Sequence, residues 1–353
     1  MNSSGFFITL FDKDTLRLYL NKGIYGFHMA PVYGDVPSRS RHYPALADYC
    51  CSRKDTHVFF FLKREIIYGG QVIGSEKIGS FFLNGKYSPL GRAANASIFW
   101  DESERACYSK TEKEGIFTRP NINDNEVCQP YILLFQDKLG LAGRAILSDQ
   151  LYFNIGKYPF PLPTNSISDM SFCTMTPFET KEALELLEKE SMKRYEFSSY
   201  EEISIKAKPT LYLPKYEEKS APSNITESYL EACILANPYS LKKELRPDKD
   251  TVICRQVPIS PIKPFQMDRA DICFYKESFL SGTLPYLVIE LKKENVGKKE
   301  CEQVERYLRW LMKCSPRESE NFRIYLLAPG LKRTASISRE FRKQIHFMPL
   351  YSP

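Results

Sequence analysis

Charged residues stand inside two apolar runs near the carboxyl end of the sequence. The run LPYLVIELKKENVG, residues 284–297, carries Glu290 and Lys292, and the run RADICFY, residues 269–275, carries Asp271. Burying a charged side chain costs several kcal/mol unless a counter-charge or a metal ion compensates. The two runs are therefore candidates for a site that binds an ion.

Alternation along a strand places Glu290 and Lys292 on one face, because successive side chains point to opposite sides. The segment KESFLSGTL, which joins the two runs, has the length of a hairpin connection. If the runs pair as strands, Asp271 and Glu290 approach closely enough to share a cation, with Lys292 beside them. Hard cations such as Mg²⁺ take oxygen ligands, and a lysine can stabilise charge on a phosphoryl group. The pattern predicts a site for a divalent cation and a phosphate.

Two predicted helices bring further polar groups towards this site. The segment KKECEQVERYLRWLMKC has a helical period and carries Gln303 and Tyr307 four positions apart, hence on one face. The segment ITESYLEACILANP, which ends at an Asn-Pro pair, carries Glu227 and Glu231, also four positions apart. Either glutamate can face inward, so the residues alone leave that choice open. Asp268 is a further carboxylate near the site, for which a turn or capping role is expected.

Helices and strands alternate in the last third of the sequence. Strands are expected near 251–258 and in the segments RADICFY, PYLVIEL, FRIYLLAP and IHFMPL, and a short helix is expected near 335–344. This order predicts an α/β domain over residues 223–353, with a central mixed sheet flanked by helices.

The first 200 residues predict a β-rich α+β domain. Short apolar runs alternate there with turn signals, as in VFFFLKREIIYGGQVIG, SIFW, QPYILLF and AILSDQLYFNIG. The first of these runs predicts a hairpin with a bulge or a close backbone approach at Gly69 and Gly70. A helix is expected after Thr176, where Pro177 and Glu179 complete a helix-start signature.

Length and composition fit a folded protein of two domains. Prolines and lost periodicity place a linker at 201–222, between domains at 1–200 and 223–353. The 353 residues carry a formal charge of +6, which suits a polyanionic partner. The ten cysteines lack zinc-binding spacing, and no apolar run reaches the roughly 20 residues that span a bilayer. We therefore expect a soluble cytoplasmic or nucleoid-associated protein with reduced cysteines and no membrane partner.

A series of polar residues in the last third matches a nuclease motif: Asp271, Glu290, Lys292, Gln303 and Tyr307. This series resembles the PD-(D/E)XK nuclease superfamily in its RecB-like branch, whose sites are built from D, ExK and QxxxY. The segment TESYLEACILANP is similar to the first helix of the NucS-type nuclease domain, and the last two predicted strands look like its closing strands. The resemblance covers about residues 223–353 and implies a restriction-endonuclease-like fold.

The resemblance implies a Mg²⁺-dependent DNA endonuclease, with Mn²⁺ as a substitute metal. It implies that Asp271, Glu290 and Glu227 bind the metal, because Glu227 stands three residues before Leu230, as the family's helix carboxylate does. Two such sites are needed to cut two strands, so the resemblance also implies a homodimer.

The remaining residues of the motif take their roles from the same resemblance. Lys292 is expected to orient or activate the attacking water, and Gln303 and Tyr307 are expected to hold the lysine and the phosphate.

Two other classes of function stay open. The chain could be a nucleic-acid-binding module that keeps the nuclease fold without turnover, or an effector nuclease gated by a small nucleotide.

The amino-terminal region does not look like the small first domain of NucS-type proteins. Its stretch DTHVFFFLKREIIYGGQVIG shows a slight similarity to the β-barrels of the PUA, EVE and YTH group, some of which hold a flipped modified base. Aromatic residues near Arg39, Arg41, Lys63 and Arg64 suit base stacking and phosphate contact. This region is therefore expected to select the substrate, such as modified or mismatched DNA in restriction, defence or repair.

Overall fold

The computed structural model describes residues 4–26, 44, 47–73, 80–82, 98–101, 106–109, 131–155, 172–191, 193–196, 226–259 and 268–350. The predicted linker at 201–222 lies outside these residues, so the division into two domains stays a prediction. Arg39 and Arg41 also lie outside them.

The described amino-terminal part is built on a sheet of nine strands. The elements are β1 (Gly5–Thr9), α1 (Lys13–Lys22), β2 (Ile24–Gly26), β3 (His57–Leu62), β4 (Glu65–Val72), β5 (Ser80–Phe82), β6 (Ile98–Asp101), β7 (Ala106–Ser109), β8 (Tyr131–Gln136), β9 (Arg144–Leu147), α2 (Ser148–Ile155), β10 (Phe172–Met175), α3 (Pro177–Lys189) and β11 (Lys193–Arg194). The strands of the sheet follow the order β10-β1-β3-β4-β8-β2, with β5 paired to β8, β9 to β4 and β11 to β9. All pairs are antiparallel except β1 with β3. A separate hairpin joins β6 to β7.

The predicted hairpin is confirmed as β3 and β4. Lys63 and Arg64 make the two-residue turn, and both have positive φ, of 49° and 69°. The predicted irregularity at the glycine pair is also confirmed, since the register shifts opposite it, between Val58 and Phe59. At Gly70, φ is 154° and a Cβ atom would lie 2.6 Å from the carbonyl oxygen of Gln136. The close approach of β8 therefore requires a glycine there.

Helix starts follow the local capping residues. Helix α3 begins as predicted, because the Thr176 hydroxyl accepts from the Glu179 amide at 3.2 Å and the Glu179 carboxylate accepts from the Thr176 amide at 2.7 Å. The run AILSDQLYFNIG, expected to add to the β structure, is instead β9 followed by α2. The Gln150 side chain accepts from the Leu147 amide at 2.9 Å, which satisfies a donor where the strand gives way to the helix.

The described carboxyl-terminal part is a five-stranded mixed sheet with helices, as predicted. The elements are α4 (Glu227–Ala236), β12 (Val252–Pro258), β13 (Arg269–Tyr275), β14 (Leu287–Leu291), α5 (Lys298–Cys314), β15 (Arg323–Ala328) and β16 (Ile345–Pro349). The strands run in the order β12-β13-β14-β15-β16, with the first three antiparallel and the last three parallel. The helix expected near 335–344 is only a 3₁₀ turn at Arg339–Phe341, since no longer run of helical hydrogen bonds forms there.

Both faces of this sheet are buried. On one face Ile272 and Ile289 join an apolar cluster that also contains α4 and the amino-terminal sheet. On the other face Cys273 and Val288 pack with α5. A polar side chain on β13 or β14 therefore stands in an apolar layer unless it lies at a strand end.

Two further expectations concern cysteines and membranes. The eight cysteines whose side chains the structure describes are free thiols, and the reduced state of the protein stays a prediction. In the described parts of the chain, no helix combines the length and the apolar character that crossing a membrane requires.

Candidate active site

The predicted chemistry-bearing residues meet at one edge of the carboxyl-terminal sheet. Because β13 and β14 are antiparallel, with Ile272 opposite Ile289, the start of β13 lies beside the end of β14. Asp271 stands at that start, and Glu290 and Lys292 stand at that end. The hairpin predicted from the connection length is therefore confirmed, and it brings all three side chains together.

Glu290 is almost fully buried, at 2% exposure. Its Oε1 accepts a hydrogen bond from Nζ of Lys292 at 2.7 Å. Its Oε2 is buried and has no hydrogen-bond partner among the described residues. Burial raises the pKa of Glu290 to about 7, although the neighbouring Lys292 acts in the opposite direction. The site therefore contains a buried carboxylate oxygen that lacks a hydrogen-bond partner among the described residues.

Asp271 is held by two donors from neighbouring strands. Its Oδ2 accepts from the Leu291 amide at 2.7 Å, and its Oδ1 accepts from Nε2 of Gln256 at 3.0 Å. Burial raises the pKa of Asp271 well above its usual range, and the negative charge of Glu290 adds to this effect. Two neighbouring carboxylates whose pKa values are both raised would be stabilised in their charged forms by a cation between them.

Lys292 supplies the positive charge of the site. Its side chain is 18% exposed and pairs with Glu290. Burial acts to lower the pKa of Lys292, but the carboxylates of Glu290, Asp271 and Glu227 together offset this, and the pKa is raised overall. Lys292 is therefore a protonated donor at neutral pH.

Helix α4 offers two carboxylates, and the structure gives them different partners. Oε1 of Glu227 accepts from the Lys293 amide at 3.3 Å, next to the end of β14, and the charge of Glu227 raises the pKa of Glu290. Glu231 is buried and forms two hydrogen bonds with Arg255, at 2.9 and 2.8 Å. The structure thus leaves Glu227 beside the candidate site and commits Glu231 to a buried ion pair.

The predicted pair on α5 also lies at this edge. Nε2 of Gln303 donates to the Tyr307 hydroxyl at 2.6 Å, and that hydroxyl donates to the carbonyl of Arg269 at 3.0 Å. These hydrogen bonds therefore anchor α5 to the start of β13. The expected contact of Gln303 and Tyr307 with Lys292 is not among them. Asp268, the further carboxylate considered above, pairs with Arg306 at 3.2 Å.

Two residues of β12 that the sequence analysis did not select belong to the same polar group. Arg255 pairs with Glu231 and also with Asp48 from the amino-terminal part. Gln256 donates to Asp271, and its Nε2 lies 3.4 Å from Oε1 of Glu231. The signal was present in the sequence, because the run TVICRQVPI places an arginine inside apolar residues just as the β14 run does with Glu290.

Exposed cations stand on the two loops that leave this edge of the sheet and at the start of α5. The loops after β14 and β15 lie side by side, with the Val296 amide bonded to the Gly330 carbonyl at 2.9 Å and the Lys332 amide to the Val296 carbonyl at 2.7 Å. The pKa of Glu300 is lowered, mainly because its carboxylate accepts a hydrogen bond from the Gly297 amide. The positive charges of Lys332 and Lys292 lower it further. The cationic rim, as we call it, comprises the exposed residues Lys293, Lys298, Lys299, Lys332 and Arg333. One of them, Lys298, also pairs with Glu302 at 3.7 Å.

The donor set suits a hard divalent cation that keeps some of its water. Among the described residues, no group of three or more His, Cys, Asp and Glu side chains is close enough to form a metal site by itself. Mg²⁺ is usually held by one or two carboxylates, with water and substrate phosphates completing its shell. Asp271 and Glu290, with the unpartnered Oε2 atom, fit that smaller requirement.

Comparisons with known proteins give little further information about the function of this site. No protein-family model and no curated protein matches the chain. A solved structure of a repair endonuclease from Pyrococcus abyssi is similar to it, with 21% sequence identity and a TM-score of 0.24. The similar region covers 38% of this chain and 50% of that one, so the match spans half the length of the endonuclease. At this TM-score the similarity supports no argument about function.

Proposed function

We propose that this chain is a metal-dependent nuclease that hydrolyses phosphodiester bonds in DNA, with a PD-(D/E)XK site. The observation that carries the proposal is the convergence of Asp271, Glu290 and Lys292 at one sheet edge, with a buried oxygen of Glu290 left unpaired. Two carboxylates and a lysine in this arrangement suit a reaction in which a phosphoryl group gains negative charge.

Asp271 and Glu290 would hold the cation, which we take to be Mg²⁺, with Mn²⁺ able to replace it. Glu227 would contribute from α4, either directly or through water. A divalent cation bound there would polarise a phosphoryl oxygen and lower the pKa of its bound water. Glu227 is preferred to Glu231 because Glu227 bonds to the Lys293 amide near the site, whereas Glu231 is already paired with Arg255.

Lys292 would act on the phosphate and on the attacking water. Its side chain is 18% exposed and its Nζ is protonated, so it can donate a hydrogen bond to a phosphoryl oxygen while it stays paired with Glu290. Gln303 and Tyr307 would act indirectly, because they fix α5 against the strand that carries Asp271.

A nucleic acid backbone is the substrate that suits the surroundings of the site. The cationic rim lies beside the carboxylates, and lysine and arginine side chains position phosphate backbones without reading the sequence of bases. Selection of modified or mismatched DNA by the amino-terminal region, and a homodimer that cuts both strands, belong to the same proposal.

The substitution Lys292→Ala tests this proposal. We expect purified wild-type protein to cut DNA in the presence of Mg²⁺ or Mn²⁺, and we expect the variant to lose at least about 100-fold in rate, since one charge-stabilising donor contributes about this much. The measurement is cleavage of a panel of plasmid, mismatched, single-stranded and modified DNA, with binding to the same DNA measured in parallel.

Lys313→Ala is the matched control, because it removes the same charge from an exposed position at the far end of α5. DNA binding without cleavage by the wild type would replace the proposal with the non-catalytic binding module. Cleavage only after a small nucleotide is added would instead support the gated effector. Equal cleavage by wild type and Lys292→Ala would contradict the role given to Lys292.

A further inference from the structure

Gln256 approaches the candidate site from β12. It lies opposite Asp271, between the paired positions Arg255–Ile272 and Val257–Ala270. Its side-chain amide and the Leu291 main-chain amide each donate to one oxygen of the Asp271 carboxylate. One donor per oxygen fixes the plane of the carboxylate and leaves lone pairs for another partner.

The backbone of Gln256 is strained. Its φ is 50°, in the left-handed region that residues with a Cβ atom disfavour. Strain of this kind persists only where the surrounding structure enforces it, and it clusters at functional sites. A glycine would adopt this conformation at lower cost but would provide no amide for Asp271. The left-handed backbone conformation of Gln256 therefore costs free energy, while its side-chain hydrogen bond to Asp271 requires a residue larger than glycine.

The neighbours of Gln256 explain why a neutral side chain suits the position. Its Nε2 lies between Oδ1 of Asp271, at 3.0 Å, and Oε1 of Glu231, at 3.4 Å. Glu231 is already paired with Arg255. A neutral amide can separate the two carboxylates and orient Asp271 without pairing with it, so the charge of Asp271 remains available to a cation.

We propose that Gln256 is a positioning residue that holds the Asp271 carboxylate in the orientation needed to bind a divalent cation. The inference rests on the proposed function, because it takes Asp271 as a metal ligand. Outer hydrogen-bond partners of metal ligands typically contribute 10–100-fold to metal affinity or activity.

Two substitutions separate the hydrogen bond from the strain. Gln256→Gly removes the amide and relieves the left-handed strain, whereas Gln256→Met removes the amide and keeps both the bulk and the strain. We expect both variants to bind Mn²⁺ roughly 10–100-fold more weakly than the wild type. We expect Gln256→Gly to unfold at or above the wild-type temperature and Gln256→Met to unfold below Gln256→Gly.

Ser281→Gly is the matched control. Ser281 has φ of 53° and is exposed in the connection between β13 and β14, at the end of the strands opposite to Asp271. This substitution relieves the same kind of strain and should leave Mn²⁺ binding and cleavage unchanged. The readouts are Mn²⁺ affinity by calorimetry without DNA, the Mn²⁺ concentration for half-maximal plasmid cleavage, and the thermal unfolding temperature.

The outcomes distinguish this inference from the function on which it rests. Weaker Mn²⁺ binding in both Gln256 variants, together with undiminished stability of Gln256→Gly, supports the inference. Wild-type Mn²⁺ affinity in both variants overturns it and leaves the nuclease proposal intact. A wild-type protein that neither binds Mn²⁺ nor cuts DNA overturns the nuclease proposal and this inference with it.

Discussion

Charged residues inside the strands of the carboxyl-terminal sheet form one connected group. Arg255 in β12 pairs with Glu231, and Gln256 connects Glu231 to Asp271. The charge of Glu290 in turn raises the pKa of Asp271. Within this group the opposite charges of Arg255 and Glu231 compensate each other, so removing one of them leaves the other buried without its partner.

Arg255 gives the clearest residue-scale prediction for stability. Arg255→Met leaves Glu231 buried without its cation, and we expect a loss of about 3–5 kcal/mol in the free energy of unfolding. The double variant Arg255→Met, Glu231→Leu should recover most of this loss, because no unpaired charge remains on α4. Burial raises the pKa of Asp48 to about 7, so this third member can take up a proton instead.

Urea denaturation of the two variants and the wild type measures the effect. If the double variant were no more stable than Arg255→Met, the loss would come from packing of the arginine side chain and not from an uncompensated charge.

The residues of the site were only partly predictable. The two-residue period of a strand placed Glu290 and Lys292 on one face, and the hairpin length placed Asp271 near them, as the structure has it. The choice between Glu227 and Glu231 needed the position of Arg255, which depends on contacts between distant segments. The left-handed conformation of Gln256 also had no sequence signal, because such positions usually carry glycine, asparagine or aspartate.

At the scale of elements, the start of α3 is both predictable and pH-sensitive. Thr176 and Glu179 form the capping pair that the sequence indicates, but Glu179 is buried at 9% exposure. Burial raises the pKa of Glu179 to about 7, above the 4.5 of a free glutamate, even though the Thr176 amide favours its charged form. The folded state therefore holds this proton more tightly than the unfolded state does.

The sign of the pH effect follows from this shift. Stability from the protonated Glu179 is fully present below about pH 4.5 and is lost as the pH rises through about 7. The loss amounts to at most about 3 kcal/mol. We expect Glu179→Gln to match the wild type at pH 5 and to exceed it at pH 8, because glutamine can still accept from the Thr176 amide.

Urea unfolding at several pH values tests this expectation. Glu188→Gln, at an exposed position of the same helix, measures the general effect of removing a carboxylate from α3. A stability difference between Glu179→Gln and wild type that did not change with pH would show that the buried carboxyl does not respond as described.

Elements were predictable where capping residues or a clear period marked them. The strands β12 to β16 and the helices α3, α4 and α5 carry such signals, and the structure contains all of them. Helix α2 was missed because its apolar residues continue those of β9, and a short apolar run does not distinguish strand from helix. The parallel pairing of β1 with β3 joins segments separated by a long connection, which no local pattern indicates.

At the scale of the molecule, the amino-terminal and carboxyl-terminal sheets share a buried surface. One apolar cluster contains Phe6 and Leu20 together with Leu230 and Ile289. Polar contacts cross the same boundary, since Nη2 of Arg53 donates to the Leu235 carbonyl at 2.7 Å. The amino-terminal part therefore supports the helix that carries Glu227, in addition to any role it has in selecting a substrate.

Further contacts bring this boundary close to the candidate site. The Thr174 hydroxyl in β10 accepts from the Arg255 amide at 3.0 Å, and the Cys254 thiol donates to the Met175 carbonyl at 3.3 Å. Sequence patterns predicted the two architectures but not this contact, because packing between distant segments depends on the shapes of the finished surfaces. The division into domains at 1–200 and 223–353 stays a prediction from the sequence.

The most direct test of the account is whether Glu290 binds a divalent cation that the reaction requires. Calorimetric titration with Mn²⁺ and plasmid cleavage would be measured for wild type, Glu290→Gln and the exposed control Glu320→Gln. We predict Mn²⁺-dependent cleavage by wild type and control. In Glu290→Gln we predict that Mn²⁺ affinity and cleavage rate fall by more than the roughly 10–100-fold expected for Gln256, which acts on the metal only through Asp271. Cleavage that persists in a chelator, or unchanged Mn²⁺ affinity in Glu290→Gln, would contradict the account.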